Sequence, residues 1–109
     1  MAFVSATSGV IGDTVTVGKE TLQVLYTPGH TPGSTSFYFK DDRLLLAGDT
    51  LFLGSVGRTD FPGGDSRALK NSIQQRLYSL DESAVVVTGH GPETSIGQEM
   101  RHNAYVRAA

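Results

Sequence analysis

The chain has 109 residues, of which 39% are hydrophobic and 18% charged, and a formal net charge of −2. This composition is typical of one soluble globular domain, or of part of one, and argues against disorder. The nine Lys and Arg residues are scattered, which argues against a broad nucleic-acid or anionic-membrane surface. No apolar run approaches the ~20 residues of a membrane span, and no secretion signal opens the chain, so we expect a cytoplasmic protein.

The first half of the chain predicts mainly β-strands. Residues 1–8 show no clear period and are expected to lack regular structure. Residues 13–26 alternate in polarity on both sides of Gly18-Lys19, which predicts a β-hairpin. The aromatic segment 34–40 predicts another strand, and segment 43–47, with three leucines, predicts a buried strand.

The second half combines a loop, two helices and a strand. Residues 51–64 are rich in glycine and are expected to form a long irregular loop. A helix is predicted over 66–79, capped near Asp65, because apolar residues then recur at helical spacing. Residues 84–88 predict a short buried strand, and Thr94 is expected to cap a final helical segment that ends near Asn103.

Three polar side chains follow three of the predicted strands, and each is flanked by glycine. His30 lies between two Pro-Gly pairs after the first hairpin, Asp49 follows the leucine-rich strand, and His90 follows the strand over 84–88. Proline restricts φ and glycine permits positive φ, so these loops should be tight and preshaped. If the strands share one sheet, the three residues could meet along one edge.

Two imidazoles and one carboxylate suit Zn²⁺, Fe²⁺ or Mn²⁺, and a carboxylate can bridge two ions. Taken singly, a histidine in a turn is usually not a ligand, and an aspartate after glycine usually serves the turn itself. The agreement among His30, Asp49 and His90 favours a metal site. Because the chain has no cysteine, thiolate ligands and disulfides are excluded.

Four segments, in this order, resemble the metallo-β-lactamase superfamily, and within it the glyoxalase II-like (hydroxyacylglutathione hydrolase-like) hydrolases. They are Thr-Pro-Gly-His-Thr-Pro-Gly-Ser at 27–34, Gly-Asp-Thr-Leu-Phe at 48–52, Gly-Arg-Thr-Asp-Phe-Pro-Gly-Gly at 57–64 and Gly-His-Gly-Pro-Glu-Thr at 89–94. The resemblance implies that His30 is a ligand of a first metal, that Asp49 is the catalytic carboxylate bridging two metals, and that His90 is a ligand of the second. Arg58 and Asp60 match a motif near the site, which implies a supporting or substrate-side role.

The chain departs from the family pattern on its N-terminal side. It lacks the His-x-His-x-Asp-His motif that supplies the other ligands, and its remaining histidine, His102, falls in the last helical segment, where we expect a solvated or packing role. The family fold is an αββα sandwich of two similar halves with the metals at their seam. The resemblance therefore implies that residues 1–109 are a single partial domain, the C-terminal half. Its expected fold class is α+β, with a mostly antiparallel sheet and a helix on one face.

The resemblance implies a metal-dependent hydrolase acting on a thioester such as an acyl-glutathione through metal-activated hydroxide. The implied cofactor is Zn²⁺, two ions in a complete domain, with Fe or Mn as alternatives. Each ion would receive only one histidine and a share of Asp49, or one ion could be held by His30, Asp49 and His90 together. We therefore expect weakly held or absent metal, and little or no hydrolysis by this chain alone.

Two other functions remain open. The Gly57–Arg58–Thr59–Asp60 motif also occurs in persulfide dioxygenases, where a lone Fe²⁺ is held by two histidines and one aspartate. The chain could instead be a non-catalytic fragment or assembly module.

Without the N-terminal half, the sheet face around Phe37 or Phe39 and Leu44–Leu46 would be uncovered, and apolar patches of that kind drive association. We expect the missing N-terminal half or a second copy, as a homodimer, to cover it.

Overall fold

The computed structural model describes residues 5–6, 13–17 and 20–108. Seven strands form one sheet: β1 (Ser5–Ala6), β2 (Asp13–Val17), β3 (Glu20–Tyr26), β4 (Thr35–Phe39), β5 (Leu44–Gly48), β8 (Val85–Thr88) and β9 (Thr94–Ser95). The short strands β6 (Leu51–Phe52) and β7 (Ser55–Val56) pair separately, and the helices are α1 (Ser66–Ser72) and α2 (Ile96–His102). The sheet runs β1-β2-β3-β4-β5-β8-β9, and every pair is antiparallel except β5 with β8. The expected mostly antiparallel α+β architecture is confirmed.

The predicted hairpin over 13–26 is confirmed as β2 and β3, which pair in an unbroken antiparallel register. Its turn, Gly18-Lys19, lies outside the described residues. The expectation that residues 1–8 lack regular structure is wrong for Ser5–Ala6, which pair with β2; the rest of that segment also lies outside the described residues. Two residues are too few for a period to be visible, so pairing with a neighbour decides their conformation.

One face of the sheet forms the core with the helices. Tyr38, Leu45 and Val86 lie opposite one another on β4, β5 and β8, and each is at most 4% exposed. They pack in one cluster with apolar side chains of both helices, including Leu69 and Ile96. The strands predicted as buried over 43–47 and 84–88 are found as β5 and β8, but they are buried only at alternate positions, because the helices cover the sheet on one side only.

The predicted helix over 66–79 is confirmed in place but changes form along its length. Asp65 caps α1 by accepting hydrogen bonds from the backbone amides of Arg67 and Ala68. From Ile73 to Leu77 the chain forms a π-helical segment, closed by a bond from the Tyr78 amide to the Ile73 carbonyl. Both Leu77, in this wider segment, and Tyr78, which follows it, lie on the buried side.

Two further predictions need correction. The segment 51–64 is not irregular throughout, because β6 and β7 form a tight hairpin around Gly54, whose φ is +72°. Thr94 does not cap the last helix; it pairs in β9, and Ser95 caps α2 by accepting a hydrogen bond from the Gln98 amide. No helix in the described part of the chain has the length and apolarity needed to cross a membrane.

The opposite face of the sheet is also apolar. Val24, Phe37, Leu46 and Val87 lie side by side across four strands, and Phe37 is 40% exposed. Val85, on the same face, is 39% exposed. Side chains that alternate along a strand and are apolar on both faces are typical of a sheet buried on both sides. We call this row and its neighbour Val85 the outer face.

Candidate metal centre

The sheet topology brings the three sequence-predicted residues to one edge. β5 and β8 are parallel neighbours, so Asp49 and His90, which follow them, leave the sheet at the same end. β3 lies two strands from β5 through antiparallel β4, so it also runs in the same direction, and His30 follows it. The expected meeting of these residues is therefore found, because all three strands end at a common edge.

The carboxylate of Asp49 lies between the two imidazoles. His30 Nε2 is 3.7 Å from Asp49 Oδ2, and His90 Nε2 is 3.5 Å from Asp49 Oδ1. Both separations exceed normal hydrogen-bond distances. Two ligands bound at ~2.1 Å to one tetrahedral ion lie about 3.4 Å apart, so each histidine–oxygen pair has the spacing of two ligands of a single ion. The two pairs use different oxygens of Asp49.

Within the described residues, no group of three or more His, Cys, Asp or Glu side chains is placed to hold one metal ion. The three residues thus do not converge on a common point; each of two positions receives one nitrogen and one oxygen. This arrangement fits a carboxylate bridging two ions better than one ion held by all three side chains. Two protein ligands per ion leave each coordination shell open, since zinc sites in proteins use three or four.

A hydrogen bond fixes the orientation of the His30 ring. Its Nδ1 is 2.8 Å from the Arg58 carbonyl oxygen, which can only accept, so Nδ1 carries the proton and donates. This tautomer leaves the Nε2 lone pair facing Asp49. The edge of the ring also packs against Phe61, with centroids 5.4 Å apart. Metal-binding histidines commonly donate their second nitrogen to a carbonyl in this way.

The loop that carries His30 is anchored on α1. The Asp65 amide donates to the Gly29 carbonyl at 2.8 Å, and the Ser72 hydroxyl donates to the Pro28 carbonyl at 2.7 Å. Gly29 has φ +143° and lies against the backbone of Leu69, where a Cβ would overlap the helix. The first Pro-Gly pair thus lets the loop approach the helix closely, which makes it a firm support for the histidine.

Asp49 is packed between two glycines. A Cβ on Gly89 would lie 2.6 Å from Asp49 Oδ1, and one on Gly57 would overlap the Asp49 carbonyl oxygen and lie 3.2 Å from the His30 Cβ. The Gly89 amide donates to the Gly48 carbonyl at 2.7 Å, and the Gly57 amide donates to the Thr50 carbonyl at 3.1 Å. Backbone without side chains therefore lies close to one oxygen of the carboxylate and to the main chain of Asp49, while 43% of the side chain stays exposed.

His90 is the most open of the three residues, with 83% of its side chain exposed. Its ring lies 6.3 Å from that of Phe52, centroid to centroid, and the Thr88 hydroxyl donates to its carbonyl oxygen. His102 is exposed in α2, and no ion pair or ring contact in the described residues joins it to this centre. It remains the histidine that we expect not to bind metal.

Arg58 and Asp60 form an exposed ion pair within one loop. Arg58 Nε is 3.0 Å and Nη2 is 3.4 Å from the two Asp60 oxygens. These hydrogen bonds lower the pKa of Asp60 and raise that of Arg58. Because the Arg58 carbonyl accepts from His30, the ion pair lies in the loop that supports this residue.

A buried polar network, which no sequence pattern predicted, links the β6–β7 hairpin to α2. Glu99 is 1% exposed, and its carboxylate accepts hydrogen bonds from the Gly54 amide, the Thr94 hydroxyl and the Asn103 side-chain amide at 2.6–2.9 Å. Asn103 also donates to the Ser55 carbonyl at 3.0 Å. The network ties α2 to the hairpin that presents Phe52 to His90. The sequence signal that could have indicated this network is Glu99, a charged residue among the apolar positions of α2.

The same network includes the hydroxyl of Tyr78, which lies 2.6 Å from the Val106 carbonyl and 3.1 Å from the Glu99 carbonyl. Burial, with the nearby charge of Glu99, raises the pKa of Tyr78. The phenol therefore stays protonated and acts as a donor at neutral pH. It fixes the C-terminal segment against the π-helical end of the first helix.

Comparison with known proteins finds relatives and solved structures similar to this chain. A 42% identical relative from Haemophilus influenzae, the hydroxyacylglutathione hydrolase GloC, matches 79% of this chain and 41% of its own length. The solved structure of TTHA1623 in a di-iron-bound form is 47% identical, with a TM-score of 0.74 over 78% of this chain and 42% of that one. ETHE1 from Myxococcus xanthus is 37% identical, with a TM-score of 0.80 over 94% of this chain and 48% of that one.

The chain spans less than half the length of the curated relatives that it matches. The family model for the metallo-β-lactamase superfamily covers residues 2–90, which include His30, Asp49 and His90. More than half of the chain is therefore accounted for by one family, and we conclude that the chain belongs to the metallo-β-lactamase superfamily.

Proposed function

We propose that this chain is the ligand-bearing half of a metal-dependent hydrolase that acts on a thioester such as an acyl-glutathione. The observation that carries the proposal is the position of Asp49, whose two oxygens face two different histidine nitrogens at ligand-to-ligand spacing. The similarity to a hydroxyacylglutathione hydrolase supports the substrate class. The similarity to a di-iron-bound structure supports a site for two ions.

The donor set fits divalent zinc, iron or manganese, since neutral imidazole nitrogens and an anionic oxygen suit all three. When bound, such ions supply Lewis-acid chemistry, lowering the pKa of water to about 7 and polarising a carbonyl group. His30 would hold one ion and His90 the other, with Asp49 shared between them. The Arg58 carbonyl keeps the His30 lone pair directed at that position.

We further propose that a second copy of this chain covers the outer face. The face is an uncharged row of Val24, Phe37, Leu46 and Val87, so two copies can meet there without burying an unpaired charge. The metal positions lie at the end of the same sheet and are incomplete in one chain, so a partner on this face is near enough to add ligands. The alternative to this homodimer is a heterodimer, in which the remaining half of a complete domain covers the outer face.

Complementation tests the proposed activity directly. The part of H. influenzae GloC that this chain does not span is expressed separately and mixed with the chain in the presence of Zn²⁺, and acyl-glutathione hydrolysis is followed. We expect hydrolysis by the mixture and little by either part, with Asp49→Asn as the inactive control. A mixture that co-elutes as a complex and binds zinc, yet leaves the thioester intact, would contradict the proposal.

A second candidate is a persulfide dioxygenase-like iron enzyme, favoured by the similarity to ETHE1 and by the Arg58–Asp60 motif. The same complex loaded anaerobically with Fe²⁺ distinguishes the two. Oxygen uptake with glutathione persulfide, without thioester cleavage, would support this candidate. If the fold is intact and neither Zn²⁺ nor Fe²⁺ binds, the remaining interpretation is that the chain is a non-catalytic assembly module.

A further inference from the structure

A cleft of about 870 Å³ opens on the far side of the loop that supports His30. Its walls are the segment 55–60, the exposed side of α1, and Tyr105 with Val106 near the C-terminus. Neither histidine of the candidate metal centre nor Asp49 lines it. The backbone of Gly57 and Arg58 forms the partition, since Gly57 packs on Asp49 and the Arg58 carbonyl binds His30. The volume is in the range of small-molecule sites.

The wall formed by α1 carries a polar stripe. Arg67, Lys70 and Asn71 line the cleft, and their spacing of three and four residues places them on one side of α1, while Gln74 lines it from the π-helical segment that follows. Within the described residues, neither Arg67 nor Lys70 forms a salt bridge. Like charges three residues apart destabilise a helix, and an anion bound between them would remove that repulsion.

The charge of the cleft is positive although the chain carries a net charge of −2. Arg58 also lines the cleft, but its charge is offset by Asp60, to which it donates two hydrogen bonds. Arg67 and Lys70 are thus the uncompensated charges. Walls of low dielectric strengthen the field of such charges within a cleft, which favours the entry of anions.

Part of the remaining lining is apolar, beside the polar residues Ser55, Thr59 and Ser66. Val56, Leu69 and Val106 line the cleft, and the ring of Tyr105, which is 71% exposed, stands at its side. Gln74 already donates to the Arg107 carbonyl at 2.8 Å, which fixes the C-terminal segment across this wall. A few polar groups against an apolar surface are what orient a ligand that has a charged end and an apolar body.

We propose that this cleft is a second binding site, separate from the candidate metal centre, for a small organic anion. Its ligand carries a carboxylate or phosphate group, which pairs with Arg67 and Lys70, and an apolar body, which packs on Leu69, Val106 and the ring of Tyr105. The site needs no metal and does not depend on the proposed hydrolase activity.

The experiment is a titration of the ¹⁵N-labelled chain followed by two-dimensional NMR, in the absence of metal. Benzoate is the probe, benzamide is its neutral counterpart of the same shape, and inorganic phosphate tests the anionic group alone. We expect saturable shifts with benzoate at the backbone amides of α1 and of residues 105–106, and binding of benzamide weaker by roughly tenfold, the ratio given by about 1.4 kcal/mol.

The double variant R67Q/K70Q should weaken benzoate binding at least tenfold, whereas K40Q/R43Q, which removes the same charge from another surface, should leave it unchanged. Saturable shifts with phosphate would show that the anionic group suffices, which also supports the site. Equal binding of benzoate and benzamide, or unchanged binding by R67Q/K70Q, would overturn the proposal. So would benzoate shifts confined to His30, Asp49 and His90.

Discussion

The substitution Gly57→Ala tests whether close packing of the backbone at Gly57 supports the candidate metal centre. Gly57 has no unusual φ, so its role is one of space alone. An added Cβ would lie well inside 3.0 Å of the Asp49 carbonyl oxygen and 3.2 Å from the His30 Cβ. The Asp49 carbonyl oxygen belongs to the backbone and cannot change rotamer as a side chain can. The loop at 57–60 must therefore move instead.

The cost follows from what that movement breaks. The Gly57 amide donates to the Thr50 carbonyl at 3.1 Å, and the Arg58 carbonyl accepts from His30 Nδ1 at 2.8 Å. Overpacking costs about 1–3 kcal/mol and the loss of one of these hydrogen bonds about 1 kcal/mol more, so we expect a loss of about 2–4 kcal/mol in the free energy of unfolding. A His30 ring without its second hydrogen bond should also bind metal about 10–100-fold more weakly.

Urea unfolding followed by circular dichroism measures the first effect, and zinc titration by calorimetry measures the second. With a slope of about 2 kcal/mol/M, the unfolding midpoint should fall by about 1–2 M. Gly33→Ala is the matched control, since a Cβ there meets nothing within 4 Å and its φ is not in the left-handed region; its effect should stay within about 1 kcal/mol. Equal unfolding midpoints for the two variants would refute the packing argument.

Three further substitutions test other parts of the structure. His90→Ala should weaken zinc binding more than about tenfold in calorimetry while His102→Ala does not, and equal effects would remove the distinction between them. Phe37→Lys places a charge on the outer face and should shift the chain from dimer to monomer in light scattering; a wild-type chain that is already monomeric would refute the dimer. Glu99→Leu removes the acceptor of three donors, one buried and two partly buried, and should lower the free energy of unfolding by about 3 kcal/mol or more, whereas the exposed Glu82→Gln should cost at most about 1 kcal/mol.

The sequence predicted the strand ends well because their signals are local. Pro-Gly pairs and single glycines mark where the chain must turn, so the positions of His30, Asp49 and His90 after three strands followed from residue type alone. That the three strands run in the same direction was an assumption. It holds because β3 and β5 are separated by one antiparallel strand and β8 pairs parallel with β5.

The features that the sequence did not reveal depend on contacts between distant residues. A two-residue strand such as β6 has no period of its own, and the hairpin it forms is held by Glu99, more than forty residues later. Tyr78 is drawn into the core by a π-helical turn that no spacing rule anticipates. The support of His30 by the Arg58 carbonyl involves a backbone atom, which residue type does not specify.

A partner that covers the outer face would also affect the open metal positions. The row Val24, Phe37, Leu46 and Val87 crosses the sheet one or two residues before the ends of β3, β5 and β8, which His30, Asp49 and His90 follow, so a partner that covers the face also lies close to the open coordination positions. If it supplies ligands there, metal binding and association are thermodynamically linked, and each must strengthen the other by the same factor. Sedimentation of the chain with Zn²⁺ and with EDTA measures this coupling. We expect zinc to lower the dissociation constant of the dimer in wild type and to have little effect in Asp49→Asn, and a dimer equally stable with and without zinc would show that the partner adds nothing to the site.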